Sequence, residues 1–432
     1  MPFENIQADN RRIAIIGGGI SGMGAAYELR NSENVVLFES SSQLGGHART
    51  VLAGKSGNMP VDTGFLVYND VNYPHLTNLF GELEVPTIPS DMSFGASIDG
   101  GWLEYGVLAP KAIIAQKRNI LRPKFLGMMR DILKFNKLAN KSHIDPNITI
   151  GSLIKNWELG DWFRDYYLTP FTGAIWSTPV TQILDFPALP MIKFMKNHAL
   201  LGTGGQHDWR TVKGGSREYV RRLEGMLLKA GVEIRLSTSV NSVRRVDGGV
   251  EVKVASGEYE PFDEVIFATH SDTTLGMLSD PNAIEKKSLD AIKYQSNTMV
   301  LHADTSIMPK RKAAWASWVY TEDKDKKSDR IDLTYWINRL QSLPEDDPCF
   351  VTLNTQRVIK PHLIYDECVF YHPVFNLAAL QGQHSLAELN GKNSTWFCGA
   401  WMRNGFHEDG LATGIEVARR IMARSSTMLA AE

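Results

Sequence analysis

A glycine-rich turn between an apolar run and a helical pattern constrains this chain more than any other feature. The apolar run is residues 13–16, which have the length and β-branched composition of a buried strand. Gly17, Gly19 and Gly22 follow it with the spacing Gly-x-Gly-x-x-Gly. This spacing permits a tight turn, a close approach of backbone N–H groups to phosphate, and close packing of the next helix on the strand. The turn therefore predicts a dinucleotide-binding βαβ unit.

A second predicted strand and an acidic residue complete this unit. Residues 34–38 form another buried apolar run, and Glu39 follows it directly. Glu39 lies about twenty residues beyond the first glycine, where a carboxylate accepts hydrogen bonds from an adenosine ribose. The helix that begins near Ile20 and Ser21 would direct its unpaired N–H groups and partial positive charge at the phosphates. These residues alone leave NAD(P) and FAD open.

Length and composition limit the other possibilities. A chain of 432 residues exceeds one compact core, so we expect about two or three domains. The apolar content is 43% and the formal net charge is -2, which give no reason to expect a nucleic-acid partner. The three cysteines are far apart and form neither a disulfide framework nor a metal-ligand pattern. We therefore predict no metal site.

No targeting segment is apparent in the sequence. Residues 1–10 lack a charged-then-apolar leader, and no apolar run reaches the roughly 20 residues that span a bilayer. Widely spaced thiols are typical of a reducing compartment. We expect a cytoplasmic protein, and we leave peripheral contact with the inner face of a membrane open.

The segment after Glu39 resembles the flavin-containing amine oxidase superfamily, which includes phytoene desaturases and protoporphyrinogen oxidases. Residues 45–50 read Gly-Gly-His-Ala-Arg-Thr, similar to bacterial relatives described only as predicted FAD-binding oxidoreductases. In the family a glycine pair and a basic residue wrap the FAD pyrophosphate, and His47 stands where arginine is more frequent. The resemblance implies non-covalently bound FAD. It also implies cofactor contacts from Ser40, Gly45, Gly46, His47, Arg49 and Thr50.

Three later segments also resemble elements of this family. Residues 61–65 resemble the segment that returns beneath the flavin ring, and residue 240 stands where relatives contact the adenine through their backbone. Residues 399–412 resemble the last element, in which a helix N-terminus points at the flavin. Most members have an acid where this chain has Ala400, and Asp409 is the candidate replacement. The implied contacts are Asp62, Thr63, Gly64, Val240, Gly399, Ala400, Asp409, Gly410, Leu411 and Ala412.

The resemblance covers both ends and the middle of the chain. It implies an α/β fold, with a Rossmann-type FAD-binding domain built from discontinuous segments and an α+β substrate-binding domain. The FAD-binding domain is assigned to residues 1–70, 212–275 and 391–432. The substrate-binding domain is assigned to residues 71–211, with a helical insertion, and 276–390.

Residues 123–141 show a marked amphipathic pattern. At 100° per residue, one face carries Phe125, Met128, Met129, Ile132 and Phe135, and the opposite face carries Arg130, Lys134, Lys137 and Lys141. Such a helix either packs its apolar face on the domain or lies in the interface of an anionic bilayer. Both alternatives stay open on the sequence.

The resemblance implies an FAD-dependent oxidoreductase. The favoured hypothesis is a dehydrogenase, desaturase or isomerase that acts on an apolar, lipid-like molecule by hydride transfer to flavin N5. The alternative is an amine oxidase that uses oxygen, and a third possibility is a non-catalytic FAD-binding protein. Oxygen, a quinone or another carrier would accept the electrons. The sequence shows no Ser-His-Asp set and no carboxylate pair, so the catalytic candidates are His47, His270, His372 and His407.

Overall fold

The computed structural model describes residues 11–107, 110–176, 182–202, 207–255, 257–324 and 330–429. The features predicted for residues 1–10 lie outside these ranges. The strands are β1 (Arg12–Ile16), β2 (Asn34–Phe38), β3 (Thr50–Ala53), β4 (Met59–Asp62), β5 (Tyr68–Asn69), β6 (Thr87–Pro89), β7 (Phe94–Ile98), β8 (Leu103–Gly106), β9 (Trp209–Val212), β10 (Glu233–Arg235), β11 (Val240–Val246), β12 (Gly249–Val254), β13 (Tyr259–Phe262), β14 (Glu264–Phe267), β15 (Lys293–His302), β16 (Trp318–Thr321), β17 (Asp332–Trp336), β18 (Phe350–Leu353), β19 (Ile364–Val374) and β20 (Thr395–Phe397).

The helices separate and cover these strands. They are α1 (Ile20–Leu29), α2 (Pro74–Glu82), α3 (Pro110–Ile113), α4 (Pro123–Lys141), α5 (Ile150–Asn156), α6 (Asp161–Phe163), α7 (Thr169–Trp176), α8 (Ala188–Asn197), α9 (Arg217–Lys229), α10 (Ser271–Met277), α11 (Ala283–Ala291), α12 (Ile337–Leu340), α13 (Leu377–Leu389) and α14 (His407–Leu429). A π-helical segment, Arg164–Leu168, joins α6 to α7.

A five-stranded parallel sheet forms the centre of the first region of the protein. Its strand order is β10-β2-β1-β14-β20, and Ile15 of β1 pairs with Leu37 on one side and Ile266 on the other. Because helices cover both faces of such a sheet, its strands are continuous apolar runs. The strands come from residues 12–38, 233–267 and 395–397, so distant parts of the chain build one sheet. The predicted α/β class is confirmed.

The last helix packs against the first. A Cβ added to Gly24 of α1 would lie 2.5 Å from Leu411 Cδ1, and one added to Gly414 would lie 2.2 Å from the carbonyl oxygen of Ser21. Both glycines therefore permit an approach that a larger residue would block. This contact brings the N-terminus of α14 next to the glycine-rich turn.

A seven-stranded, mostly antiparallel sheet forms the second region. Its order is β19-β15-β18-β17-β16-β7-β8, and β16 pairs with β7 in parallel. Strands β7 and β8 precede the helical segment α3–α8, which packs on that end of the sheet. Phe94 contacts Phe171 with ring centroids 5.1 Å apart, and Tyr105 contacts Phe125 at 6.0 Å.

Helix α4 has the bounds that its sequence pattern predicts, and its predicted apolar face packs inside the protein. Phe125, Met128 and Phe135 are buried, and the Phe135 ring contacts Trp157 and Phe163. These residues therefore pack on the domain as the first alternative predicts, and contact of the rest of the segment with a membrane stays a prediction. None of the described helices is both long and apolar enough to cross a bilayer.

Candidate cofactor and active site

The three glycines of the fingerprint have different roles in the turn. Gly17 has φ +109°, and its N–H donates to the carbonyl of Phe38 at 2.8 Å. A Cβ on Gly22 would lie 1.9 Å from the carbonyl oxygen of Gly17, so the helix can approach the strand only with glycine there. A Cβ on Gly19 would meet no heavy atom within 4 Å. Gly19 therefore faces an open crevice at the start of α1.

Glu39 is held at the same turn by backbone donors. Its carboxylate accepts hydrogen bonds from the N–H groups of Gly18 and Ser41, both at 2.7 Å, and from the Ser40 hydroxyl at 3.2 Å. The N–H of Thr238 donates to the carbonyl of Glu39 at 2.8 Å, which places the start of β11 beside the acid. The ribose acceptor predicted from the sequence is thus held in place by backbone donors, and Val240 lies two residues beyond Thr238 in the chain.

The glycine pair forms a second wall of the crevice. The Gly45 N–H donates to the carbonyl of Gly18 at 2.9 Å, and a Cβ on Gly46 would lie 3.2 Å from the Cα of Gly19. Both residues of the pair have positive φ, +120° and +56°. The glycine pair therefore lies directly beside the fingerprint turn.

Arg49 and Thr63 connect the cofactor segment to the second sheet. The guanidinium of Arg49 forms an ion pair with Asp366 at 2.7 Å and donates to the Thr63 hydroxyl at 3.2 Å. The hydrogen bond that Arg49 donates to Asp366 raises the pKa of Arg49 above its ordinary value, against the effect of burial. Arg49 therefore binds a protein carboxylate. Its predicted contact with FAD stays a prediction.

Asp62 lies beneath the crevice and is fully buried. Its carboxylate accepts hydrogen bonds from the Thr50 hydroxyl at 2.6 Å, from the Ser216 N–H and hydroxyl at 2.8 Å, and from the Gln341 amide at 3.1 Å. Burial raises its pKa to about 6, and these donors oppose that increase. The Asp62 side chain thus joins the segments of Thr50, Ser216 and Gln341 through donors of the protein itself. The adjacent Gly64 packs against the carbonyl of His47.

The loop before α14 and its first turn complete the site. The N–H of Gly399 donates to the Thr413 hydroxyl at 3.0 Å, and a Cβ on Gly410 would lie 2.9 Å from the Ser21 hydroxyl oxygen. Asp409 accepts a hydrogen bond from the Phe406 N–H at 3.0 Å, and burial raises its pKa to about 6. The other predicted residues of this segment, Ala400, Leu411 and Ala412, lie in the same loop and helix.

Three of the four candidate histidines come together. The imidazole centroid of His47 lies 6.1 Å from that of His270 and 5.7 Å from that of His372. His47 stacks on Phe370 at 5.1 Å, and His270 stacks on Tyr294 at 4.3 Å. We call His47, His270 and His372 the histidine cluster. It lies where the glycine-pair segment meets the end of β14 and the strands β15 and β19.

The fourth candidate, His407, lies apart at the start of α14. Its ring stacks on Phe65 with centroids 4.1 Å apart, and its Nε2 shares a hydrogen bond of 2.7 Å with the Tyr219 hydroxyl. Burial lowers its pKa to about 3. His407 is therefore a neutral, packed side chain.

Burial also keeps the histidine cluster uncharged. It lowers the pKa of His47 to about 3 and that of His372 to about 4, and it lowers the pKa of His270 as well. Repulsion among the three rings acts in the same direction on His47 and His372. The Nε2 atom of His47 is buried and has no hydrogen-bond partner in the described part of the chain. The cluster thus contains a neutral imidazole with a buried, unpaired nitrogen.

A chain of asparagines fixes the protonation of His372. The N–H of Thr298 donates to Asn354 Oδ1 at 3.0 Å, so the Asn354 amide points at Asn297 Oδ1, at 2.7 Å. This orients the Asn297 amide to donate to His372 Nδ1 at 3.2 Å. Because Nδ1 accepts, the proton of neutral His372 is on Nε2. Sequence analysis missed both asparagines, since only the pairing of β15 with β19 brings Asn297 near His372.

Two other features do not form part of this site. A cavity of about 680 Å³ is lined by Arg11, Asp263, Glu264 and Arg424, which lie at the N-terminal edge of the parallel strands. Dinucleotides bind at the opposite, carboxyl edge. Among the described residues, no group of three or more His, Cys, Asp or Glu side chains is placed to hold a metal ion.

The residues present fit FAD. Gly19 and Gly46 leave an open cradle beside the N–H groups of the α1 N-terminus, Glu39 is fixed by the backbone of the same turn, and the unpaired Nε2 belongs to His47, the residue after Gly46. This set suits a pyrophosphate at the cradle, a ribose at Glu39 and a polar ring system near His47.

Comparison with known proteins agrees with this geometry. Residues 20–312 match the family model of flavin containing amine oxidoreductases. The chain is 26% identical over 264 residues to beta-cyclopiazonate dehydrogenase of Aspergillus oryzae, covering 58% of this chain and 52% of that protein. It is 23% identical over 343 residues to 4,4'-diapolycopene oxygenase of Methylomonas sp, covering 68% and 63%. The chain thus spans between half and two-thirds of the length of these relatives.

The fold also matches solved structures over almost the whole chain. Superposition on cyclohexylamine oxidase of Brevibacterium oxydans gives a TM-score of 0.68 at 14% identity and covers 96% of this chain and 100% of that one. A likeness at this identity concerns the fold. Because the family model matches well over half of the chain, this protein belongs to the flavin-containing amine oxidoreductase family, whose cofactor is FAD.

Proposed function

We propose that this enzyme dehydrogenates, desaturates or isomerises an apolar, lipid-like molecule. The observation that carries the proposal is the chemistry of the histidine cluster and its neighbours. Phe370 and Tyr294 stack on two of the three imidazoles, and burial keeps the rings neutral. The Asp366 carboxylate on β19 is already paired with Arg49. A substrate here meets aromatic and neutral surface, which suits an apolar molecule better than an ammonium group.

The relatives give independent support for this class of reaction. One is named as a dehydrogenase, and another is named for the apolar substrate diapolycopene. The alternative is an amine oxidase that uses oxygen, and cyclohexylamine oxidase shares the fold. That alternative calls for an aromatic cage around the amine, whereas the aromatic rings at the cluster, Phe370 and Tyr294, are stacked on His47 and His270.

Each group of residues in the site would have its own role in binding FAD or substrate. When bound, FAD would supply a hydride acceptor at flavin N5. The turn at Gly19 and the Glu39 carboxylate would bind and orient its dinucleotide part, and the N-terminus of α14 would place partial positive charge near the ring. The apolar core around the cluster would exclude water from the substrate. Oxygen, a quinone or another carrier would then accept the electrons.

Desaturation and isomerisation also require a proton to move at a substrate carbon or a neighbouring atom. His47 is the residue that we assign to this step, because its Nε2 is buried and unpaired while His372 is held by Asn297. With its proton fixed on Nε2, His372 can donate a hydrogen bond from that atom. We assign to His372 the role of positioning His47.

Anaerobic assays on the purified, FAD-loaded protein test the proposal. We expect unsaturated fatty acids or polyenes to bleach the flavin, or to be isomerised without net bleaching, with mass spectrometry and ultraviolet spectra identifying the product. Primary amines should leave the flavin oxidised. Bleaching by amines, with no change in any apolar compound, would establish the amine oxidase alternative instead. His47→Gln should keep its FAD and lose turnover, whereas His384→Gln, on the exposed face of α13, should behave as wild type.

A further inference from the structure

Positive charge is concentrated in one segment of the substrate domain. Residues 111–141 contain nine Lys or Arg residues and a single acid, Asp131, which gives a formal charge of +8. The whole chain carries -2, so the remainder carries -10. Asp131 is buried, and its carboxylate accepts a hydrogen bond from the Gly160 N–H at 2.9 Å. The charge on the exposed surface of this segment is therefore almost entirely positive.

Large apolar side chains are exposed on the same segment. Leu121 is 85% exposed, Leu126 is 51% exposed and Leu133 is 59% exposed. Ile114 and Ile120, from the same segment, are also exposed. Single exposed aliphatic residues are ordinary, but three leucines and two isoleucines within twenty residues are an unusual concentration of exposed apolar surface.

The leucines and the cations share one face of α4. At 100° per residue, Leu126 and Leu133 lie opposite the buried Met128 and Phe135. Arg130, Lys137 and Lys141 project within about 60° of Leu126, and all three are exposed. The outer face of this helix thus carries both apolar and cationic groups, although its inner face is already packed.

The short turn before α4 is held so that Leu121 stays exposed. The 3₁₀ turn Lys117–Leu121 is fixed by Arg118, whose guanidinium donates to the Trp102 carbonyl at 2.7 Å. Asn119 is buried and donates to the Glu104 carbonyl at 3.1 Å, and the Arg122 guanidinium lies 4.5 Å from the centre of the Trp102 ring. These contacts bury Asn119 and leave Ile120 and Leu121 exposed.

We propose that residues 111–141 form a docking surface for an anionic phospholipid bilayer, and we call it the 111–141 surface. Cations at the headgroups and leucines at the acyl boundary are the combination that interfacial segments use. A nucleic acid would match the cations but would leave the leucines exposed to water. The 111–141 surface lies on the helical segment that packs on the β7–β8 end of the seven-stranded sheet. The proposal concerns binding and does not depend on which substrate the enzyme takes.

Flotation of the FAD-loaded protein with lipid vesicles tests this surface. Wild type should float with vesicles of phosphatidylcholine mixed with phosphatidylglycerol at low salt, and much less with phosphatidylcholine alone. Each cation at such a surface strengthens binding about fivefold. Physiological salt should weaken the binding, because it screens charges beyond about 8 Å.

Two sets of variants separate the cations from the leucines. In the first, Lys117, Lys124, Lys137 and Lys141 are changed to Glu; these exposed lysines have no side-chain hydrogen bond or ion pair within the described residues. In the second, Leu121, Leu126 and Leu133 are changed to Gln. The first set should lower affinity for anionic vesicles at least a hundredfold, and the second should lower it even at low salt.

Matched controls carry the same changes on other elements. Lys229, Lys286, Lys287 and Lys392, all exposed, are changed to Glu, and the exposed Leu228 and Ile284 are changed to Gln. The controls should float as wild type, and all variants should keep their flavin absorbance and melting temperature. Absence of flotation by wild type would overturn the proposal. So would equal flotation of the first set, or binding of a fluorescent DNA duplex in place of vesicles.

Discussion

The Cα of Gly22 lies so close to the carbonyl oxygen of Gly17 that a Cβ there would be 1.9 Å away. Gly22→Ala should therefore lower the free energy of unfolding by about 3 kcal/mol, because the helix must move off the strand.

Gly19→Ala should leave the melting temperature near wild type, since its φ of -75° suits alanine and its Cβ meets nothing. Its affinity for FAD should fall about tenfold or more, because the methyl group enters the phosphate cradle. Calorimetry and FAD titration separate the two effects, and unchanged affinity in Gly19→Ala would place the cofactor elsewhere.

Glu39 supplies a test of the ribose site. The backbone donors at Gly18 and Ser41 hold its carboxylate, so Glu39→Ala removes a fixed, charged acceptor. Hydrogen bonds to charged groups contribute about 1.5–3 kcal/mol, which corresponds to a loss of FAD affinity of about 10- to 100-fold. Glu39→Gln keeps one acceptor oxygen, so its FAD affinity should lie between those of wild type and Glu39→Ala. Equal FAD affinity in all three proteins would contradict the assignment.

Asp62 should matter for stability more than for chemistry. Replacing it with alanine leaves the Ser216 N–H and the Gln341 amide buried without an acceptor. Unsatisfied buried donors cost about 1–3 kcal/mol each, so we expect urea unfolding of Asp62→Ala to show a loss of about 3 kcal/mol. Asp62→Asn keeps an oxygen and should lose less. A variant as stable as wild type would show that these hydrogen bonds contribute little.

His198 makes the stability depend on pH. Its ring is buried and stacks on Phe194 with centroids 3.9 Å apart, and burial lowers its pKa to about 4. An unfolded histidine titrates near 6.5, so between pH 6.5 and 4 the unfolded chain binds a proton that the native chain does not. This contribution is complete above pH 6.5 and is lost as the pH falls, by about 2 kcal/mol at pH 5.

The variant His198→Phe should therefore lose less stability between pH 7 and pH 5 than wild type does. Denaturant titrations at the two pH values measure the difference directly. His384→Phe, on the exposed face of α13, serves as the control because its side chain is 80% exposed. Parallel pH dependence in His198→Phe and wild type would show that His198 does not carry the proton.

Local sequence patterns predicted much of the cofactor region. The strand at residues 12–16, the helix after it and Glu39 all lie close together in sequence, so their geometry follows from short-range rules. The bounds of α4 also follow from its periodicity, because apolar spacing near 3.6 residues is a local property. The same periodicity did not reveal that Leu126 and Leu133 face outward among the cations.

The histidine cluster could not be predicted in the same way. His47 and His372 lie near opposite ends of the chain, and their rings meet only because β19 pairs with β15 beside the glycine-pair segment. Asp62 shows the same limit. Its sequence context suggested a place beneath the flavin, whereas its carboxylate joins residues 50, 216 and 341 in a buried network. Such partners depend on tertiary register, which no local pattern contains.

The order of strands in the parallel sheet has a consequence for how this protein is made. Strand β1 leaves the ribosome first, but its neighbour β14 and the edge strand β20 lie at residues 264–267 and 395–397. At usual rates of translation, the nascent βαβ unit waits about half a minute for the strand that closes its sheet. During that interval one side of β1 presents unpaired backbone and apolar side chains. Efficient production in the cell should therefore depend on chaperones that bind nascent chains, more than for a protein whose sheet forms from consecutive segments.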